Sequence, residues 1–351
     1  MLAQVTHILG LTSIRRVRTL PVSGRVLVAS RQKVNASDVI AEAQIPAQHV
    51  LVDVRRALRL GSVEQAQRVI VRNEGERIFA GDVIAETGGL FPRMVRAPAD
   101  GQVVMIAGGR VIIEVQSQPI QIFAGVPGYV VEVIQERGAV IEGQGALIQG
   151  AWGNDRVAEG MMINLLNSPD EELTRQKMDV SLRGAVVVGG MCSDPEVLRM
   201  GEELPLRGLI LSSMSASLVP VARSVSYPVM LTEGFGRIPM NEAAYTLIST
   251  NDKRDVALST PFRPQAGERP ELIIPLPAVG EPAADFAYFK PDQKVRILGA
   301  PYPSHVGVLV RLLPGLTTLP NGVRAQAAEV RLSKDTLVVV PLANLEVIQS
   351  V

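Results

Sequence analysis

From Val69 the chain reads VIVRNEGERIFAGDVIAETGG, with apolar Ile78, Val83 and Ile84 set around the turn residues Gly75, Gly81 and Asp82. Short strands joined by tight turns follow from that pattern. VRAPADGQVVMIAGG repeats it after Pro98, Asp100 and Gly101, and an earlier stretch, GRVLVASRQKVNASDVIAEAQIP (24–46), matches the first around a shared DVIAE. The duplication predicts two similar half-units closing one small β structure. Between the copies, AQHVLVDVRRALRLGSVEQAQR predicts a short helix and a second helical start near Ser62 and Glu64. A third β segment runs from Ile120 to Gly160, alternating Val, Ile and Leu with polar residues and turning on glycine. Its GQGALIQGAWG lacks the Gly-Lys-Ser/Thr end of a phosphate loop, so turns explain its glycines better.

The pattern changes at Ser181. RGAVVVGG, LRGLILSSM and YPVMLTEGFG are continuous apolar runs of strand length, while SDPEVLRMGEEL, SASLVPVARSV and PMNEAAYTLIST have helical spacing. Buried strands alternating with helices predict a small parallel α/β domain over 181–260. Ser193 or Asp194 suits a helix cap there, and Pro195 the first turn. Residues 1–20 read as a short amphipathic lead-in, 21–165 as the duplicated β domain and 261–286 as a proline-rich linker unable to sustain a helix or a central strand. Residues 287–351 hold about five short strands, the size of a small barrel. The expected fold class is multidomain and β-rich with one α/β unit.

Composition narrows the function classes. At 351 residues the chain exceeds what one core usually serves. Its formal net charge is zero, which removes bulk attraction to nucleic acid or anionic membranes while leaving room for a local basic face. Cys192 is the only cysteine, which excludes an intramolecular disulfide and a thiolate metal cluster, and His7, His49 and His305 lie far apart in sequence. The first residues place their basic side chains after the apolar part, the reverse of a secretory signal, and no run of 18 apolar residues occurs. A soluble cytoplasmic protein without membrane insertion is expected.

The region 24–115 resembles a barrel-sandwich hybrid, the fold of biotinyl and lipoyl carrier domains and of non-carrier domains in RNA polymerase and NADH:quinone oxidoreductase subunits. In carriers the modified lysine sits at a hairpin tip between GDVIAE-like and APADG-like strands. TGGLFPRM (87–94) stands there in this chain, Arg93 is its one cation, and no lysine occurs between Lys33 and Lys177. A guanidinium does not replace a primary amine as an acylation target. No biotin or lipoate, and no other cofactor, is therefore expected. The C-terminal segment resembles a KOW domain, an SH3-like β-barrel: Lys290, Pro291, Val295 and Arg296 lead to HVGVLV around Gly307. That resemblance implies RNA, ribosome or RNA polymerase as partners. The order of a barrel-sandwich hybrid before an α/β domain also resembles NADH:quinone oxidoreductase subunits, although one cysteine cannot ligate an iron–sulfur cluster.

Two groups of candidate site residues follow. The strand ends GGMCSD, SSMSAS and TEGFG should share the carboxyl edge of one parallel sheet, where open α/β folds place ligands. They supply Gly189, Gly190, Ser193, Asp194, Ser212, Ser213, Thr232, Glu233 and Gly234 as candidate ligand-binding residues. Cys192 and Glu233 are the candidates for chemistry, with no histidine near in sequence to activate a nucleophile. In the C-terminal segment, Lys290, Lys294, Arg296, Arg311, Arg324, Arg331 and Lys334 form the candidate face for nucleic acid or a protein partner, with Tyr288, Phe289 and Tyr302 as the aromatics available for stacking. The leading expectation is a non-catalytic scaffold or adaptor built from protein-interaction modules, with a protein partner or self-association. An RNA- or transcription/translation-associated factor stands second, and an enzyme or ligand binder at the α/β edge third.

Overall fold

A computed structural model describes residues 2–44, 47–89, 91–115, 119–263, 265, 267–277, 280–283, 286–333 and 336–350. The chain is β-rich, with one large mixed sheet and few helices. Two compact units form: one of Met1–Thr19, Val26–Ala41 and Ile122–Val351, the other of Leu20–Arg25 and Glu42–Gln121.

In the larger unit, strands Val186–Val188, Gly208–Met214 and Val229–Phe235 run parallel in that spatial order, as the apolar runs predict, and Val157–Asn164, read from sequence as part of the duplicated β domain, joins them as a fourth parallel strand beside Val186–Val188. Helices Pro195–Glu203 and Val219–Ser224 connect them and bury Val197, Leu198 and Ala222 against one face of the sheet. Helix Glu242–Thr250 buries Ala244 and Ile248 against the other face. Asp194 is the cap of the first of these helices, accepting the Glu196 N–H at 3.0 Å with Pro195 in the first turn. A glutamate follows in that turn, as the helix dipole favours.

Two expectations for this unit are corrected. Residues 1–20 are no lead-in: Leu2–Thr19 is a strand that pairs antiparallel with Gly138–Gln149 and parallel with Leu345–Ser350. Both of its faces are covered over Val5–Leu9, which erases the alternation that marks a half-exposed strand. The proline-rich linker also contains a central strand, Glu271–Pro275, held between Gly138–Gln149 and Asp255–Ser259 with Leu272, Ile273 and Ile274 fully buried. Its prolines stand just before the strand and at its last residue, so the ladder between them loses no N–H donor. The C-terminal strands Lys294–Ile297, Val306–Leu312, Ala327–Ser333, Thr336–Pro341 and Leu345–Ser350 pair antiparallel. Their core, built on Val295, Leu309, Val330 and Val347, also takes in Ala3 and Val5 of the first strand.

The repeat seen in sequence is a repeat of hydrogen bonds, offset by 44 residues. Leu27 N–H donates to Ile40 O at 2.8 Å, and Val71 N–H to Ile84 O at 2.9 Å. Asn35 N–H donates to the Asp38 carboxylate at 2.8 Å, and Phe79 N–H to the Asp82 carboxylate at 3.0 Å. Ala124 N–H reaches Asp38 O at 2.9 Å, as Ala97 N–H reaches Asp82 O at 2.8 Å. Even the outlying carboxylates correspond: Glu159 accepts from Ala36 N–H and Asp100 from Ala80 N–H, both at 2.6 Å. Each copy then needs a glycine where its next strand starts. A Cβ on Gly128 would stand 2.1 Å from Glu142 O, and one on Gly101 2.4 Å from Glu114 O.

The two copies do not close one structure, contrary to what the sequence suggests: the central part of the first, Val26–Ala41, belongs to the larger unit and the second copy to the smaller. In the second copy, strands Val83–Glu86 and Met94–Arg96 pair across a short hairpin tip, 87–93. At the same point of the first copy, between Val39–Ala43 and Ile120–Phe123, the chain runs through residues 44–119. One copy is threaded into the other where the hairpin would turn. Helices Val54–Leu58 and Val63–Arg68 lie in this inserted stretch, capped by Asp53 and Ser62, the second at the predicted position.

Candidate functional site

The three predicted strand ends do share one edge. Met191 stands opposite Ser213 and Cys192 opposite Met214, and Ser213 and Met214 stand opposite Gly234 and Phe235. Above this edge lies a cleft of about 480 Å³ lined by Glu172, Cys192, Ser193, Ser215, Phe235 and Arg237, among others. Phe235 forms part of its wall and packs edge-on against Trp152, with ring centroids 5.7 Å apart. Glu172 accepts from Arg237 Nη1 at 3.2 Å and from the Ser193 hydroxyl.

Of the nine ligand-binding candidates, Ser193 alone lines the cleft. Asp194 is occupied as a helix cap and by Arg175, whose guanidinium and the Glu196 N–H hold its carboxyl below the usual range. Gly189 and Gly190 are sites of close packing: a Cβ would meet the Leu173 side chain at the first and Glu171 O at the second. Ser213 Oγ both donates to Ile238 O and accepts the Ile238 N–H. Ser212 Oγ and Thr232 Oγ1 are buried without a hydrogen-bond partner among the described residues. Gly234 takes φ +111° beside the irregularity that separates Leu211 from Ser213 in the strand register.

Glu233 faces inward, accepting the Asn241 N–H at 3.0 Å and pairing with Arg296 Nη2 at 2.7 Å. Arg296 bridges on to Glu346 at 3.1 Å, and Glu346 also meets Arg269 at 3.2 Å. Side-chain exposure is 4% for Arg296, 2% for Glu233 and 4% for Glu346. The pairing answers a physical need, since a buried charge persists only when paired and hydrogen-bonded. Both residues are thereby corrected: Glu233 offers no free carboxylate to the cleft, and Arg296 offers no charge to a phosphate backbone.

The other C-terminal cations divide. Arg311 forms a two-bond pair with Glu329 at 2.7 and 2.6 Å. Lys290, Lys294, Arg324 and Arg331 are exposed, and Lys334 lies outside the described residues. Strand register sets Lys294, Val308, Arg331 and Leu337 side by side across four strands. Of the aromatics, Tyr288 is exposed and Phe289 is buried.

The cleft is poorly equipped for nucleophilic chemistry. Burial pushes the Cys192 thiol up to about 11, and its Sγ lies 3.6 Å from Asp194 O. The thiolate is the reactive form, so the thiol is inert near neutrality. His7, inside the first strand, is bonded through Nδ1 to Gln149 at 2.9 Å, and exposed His305 to Pro303 O at 3.2 Å. Among the described residues no group of three His, Cys, Asp or Glu is arranged to hold a metal ion, and no helix is long and apolar enough to cross a membrane. Sequence reading missed Glu172, Phe235 and Arg237. Phe235 lies within the quoted TEGFG without being named among its candidates, Arg237 directly follows it, and Glu172 comes beside the edge through its bridge to Met191, a non-local pairing. The sequence matches no protein-family model and no curated protein.

Proposed function

We propose that this protein is a non-catalytic scaffold or adaptor in a larger cytoplasmic assembly, engaging other proteins through its β modules. The smaller unit is read as a barrel-sandwich hybrid that has exchanged carriage for docking. One observation carries this: at the hairpin tip, where a carrier holds its modified lysine, Phe91 stands 92% exposed. Aromatic side chains are the usual anchors of protein interfaces, and an aromatic that finds no burial within its own chain is suited to burial in a partner. Met94 at the base of the tip adds exposed apolar surface, and Arg93 adds charge.

The test compares full-length protein with Phe91→Ala by quantitative crosslinking and mass spectrometry in the native cell, followed by affinity measurement on the purified partner. Losing an anchor costs about 2 kcal/mol or more, roughly a 30-fold weakening. Unchanged partners and affinities would overturn the reading. So would a mass increase mapped to residues 87–94 in protein from its native source.

A second reading, an RNA-associated factor acting through an SH3-like C-terminal barrel, draws on the shared row of Lys294 and Arg331. It is the weaker one, because Arg296 and Arg311 are already committed to carboxylates. Salt-sensitive binding of single-stranded RNA that weakens on removing Lys294 and Arg331 together would promote it.

A further inference from the structure

At the opposite edge of the parallel sheet, where its strands begin, a second cleft of about 420 Å³ opens. Arg183, Arg207 and Pro228 stand within a few residues before strands Val186–Val188, Gly208–Met214 and Val229–Phe235, and all three line it. Backbone bonds tie the two arginine-bearing loops together: Arg207 N–H donates to Ala185 O at 2.8 Å and Gly184 N–H to Pro205 O at 3.3 Å. The Arg207 stem lies over Gly160, where a Cβ would stand 3.2 Å from it. Both arginines are exposed, and among the described residues neither guanidinium has an ion pair or hydrogen bond.

Arginines near helix C-termini commonly serve the last carbonyls, but here three of those already have other donors. Met200 O and Gly201 O take the N–H groups of Leu204 and Leu206, and Val221 O takes Val225 N–H and the Ser224 hydroxyl. Glu202 accepts the N–H of Ser226, a lining residue, at 2.7 Å and has Arg156 within electrostatic reach. Arg156 Nε is itself buried without a partner among the described residues.

We infer that this cleft binds the phosphoryl group of a small organic phosphate, with Arg183 and Arg207 as its two forks. Each guanidinium presents paired N–H donors and a full positive charge. A phosphoryl group offers three terminal oxygens and close to two negative charges, so it matches two free forks in both geometry and charge, which a single carboxylate does not. The volume is that of a small-molecule site, and Pro205, Leu206 and Pro228 offer apolar surface to the organic part.

Titration of the full-length protein with pyrophosphate and with ribose 5-phosphate, followed by ³¹P NMR and calorimetry, tests this. Saturable binding of ribose 5-phosphate, with or without pyrophosphate, is expected, weakened about tenfold or more by either Arg183→Gln or Arg207→Gln, as loss of a charge-assisted contact predicts. Arg237→Gln, at the other edge, should leave affinity unchanged. Absence of saturable binding at 10-fold excess over millimolar protein, or affinity unchanged from the parent in either fork variant, refutes the inference. Binding of pyrophosphate alone would limit the site to inorganic anions and overturn its organic part. None of these outcomes bears on Phe91, so this site and the docking tip stand or fall separately.

Discussion

Replacing Arg296 with methionine separates a structural role from a nucleic-acid role for this residue. The substitution keeps the apolar stem but removes the guanidinium from between Glu233 and Glu346, whose side chains are 2% and 4% exposed. Breaking a buried pair by removing one partner costs about 3–5 kcal/mol. The lower end applies here, since Glu233 keeps the Asn241 N–H and Glu346 keeps Arg269. For a unit of this size each kcal/mol is worth roughly 2–4 °C, so the calorimetric midpoint should fall on the order of 10 °C. A Glu233→Gln/Arg296→Met double variant should lose less than the two single losses added, because the orphaned charge is gone. Arg311→Ala breaks only a solvent-screened surface pair with Glu329, should leave the midpoint nearly unchanged, and serves as the control. An Arg296→Met midpoint within about 2 °C of the parent would refute the reasoning and restore Arg296 as a surface cation.

Three further outcomes are expected. Alkylation of Cys192 in the folded protein should stay slow until pH nears 11; because the folded thiol keeps its proton while the unfolded one ionises near 9.0, stability should decline as pH rises between those values, and a Cys192→Ala variant should lose that decline. Burial opposes the charge of Glu271, yet Arg16 and Arg18 hold its carboxyl below the ordinary 4.5, so its contribution is present above that pH and lost on acidification; Glu271→Gln should flatten the acid limb of the stability curve measured in urea. Gly101→Ala and Gly128→Ala, at matching points of the two copies, should each cost about 1–3 kcal/mol by overpacking, and denaturant unfolding that shows either to be neutral would break their equivalence.

What the sequence disclosed was local. The parallel strands, their helices and the caps at Ser62 and Asp194 depend on patterns a few residues long, and each stands where those patterns put it. What it concealed was set by partners far along the chain. Leu2–Thr19 reads as amphipathic because nothing in those residues announces the strands Gly138–Gln149 and Leu345–Ser350 that cover it. Glu271–Pro275 hides among prolines whose spacing leaves its ladder intact. Arg296 and Glu233 looked like surface and cleft chemistry because their pairing spans residues belonging to separate sequence patterns. The carboxyl edge was legible as backbone, but which side chains turn toward the cleft depends on the register irregularity between Leu211 and Ser213.

The insertion of one copy within the chain of the other sets an order of events for folding. The second copy closes its hairpin over residues 87–93, whereas the first must bring together strands separated by residues 44–119, a loop about tenfold longer. Loop-closure entropy makes that costlier by about 2 kcal/mol if the intervening chain is unstructured. Prior folding of the inserted copy removes most of this cost by shortening the effective span. During synthesis the inserted copy is also complete before the returning strand Ile120–Phe123 emerges. The outer copy is thus a late reporter on the inner one. A lesion confined to the inner copy, such as Gly101→Ala, should slow assembly of Val39–Ala43 with Ile120–Phe123 even where it leaves the final stability of the larger unit untouched.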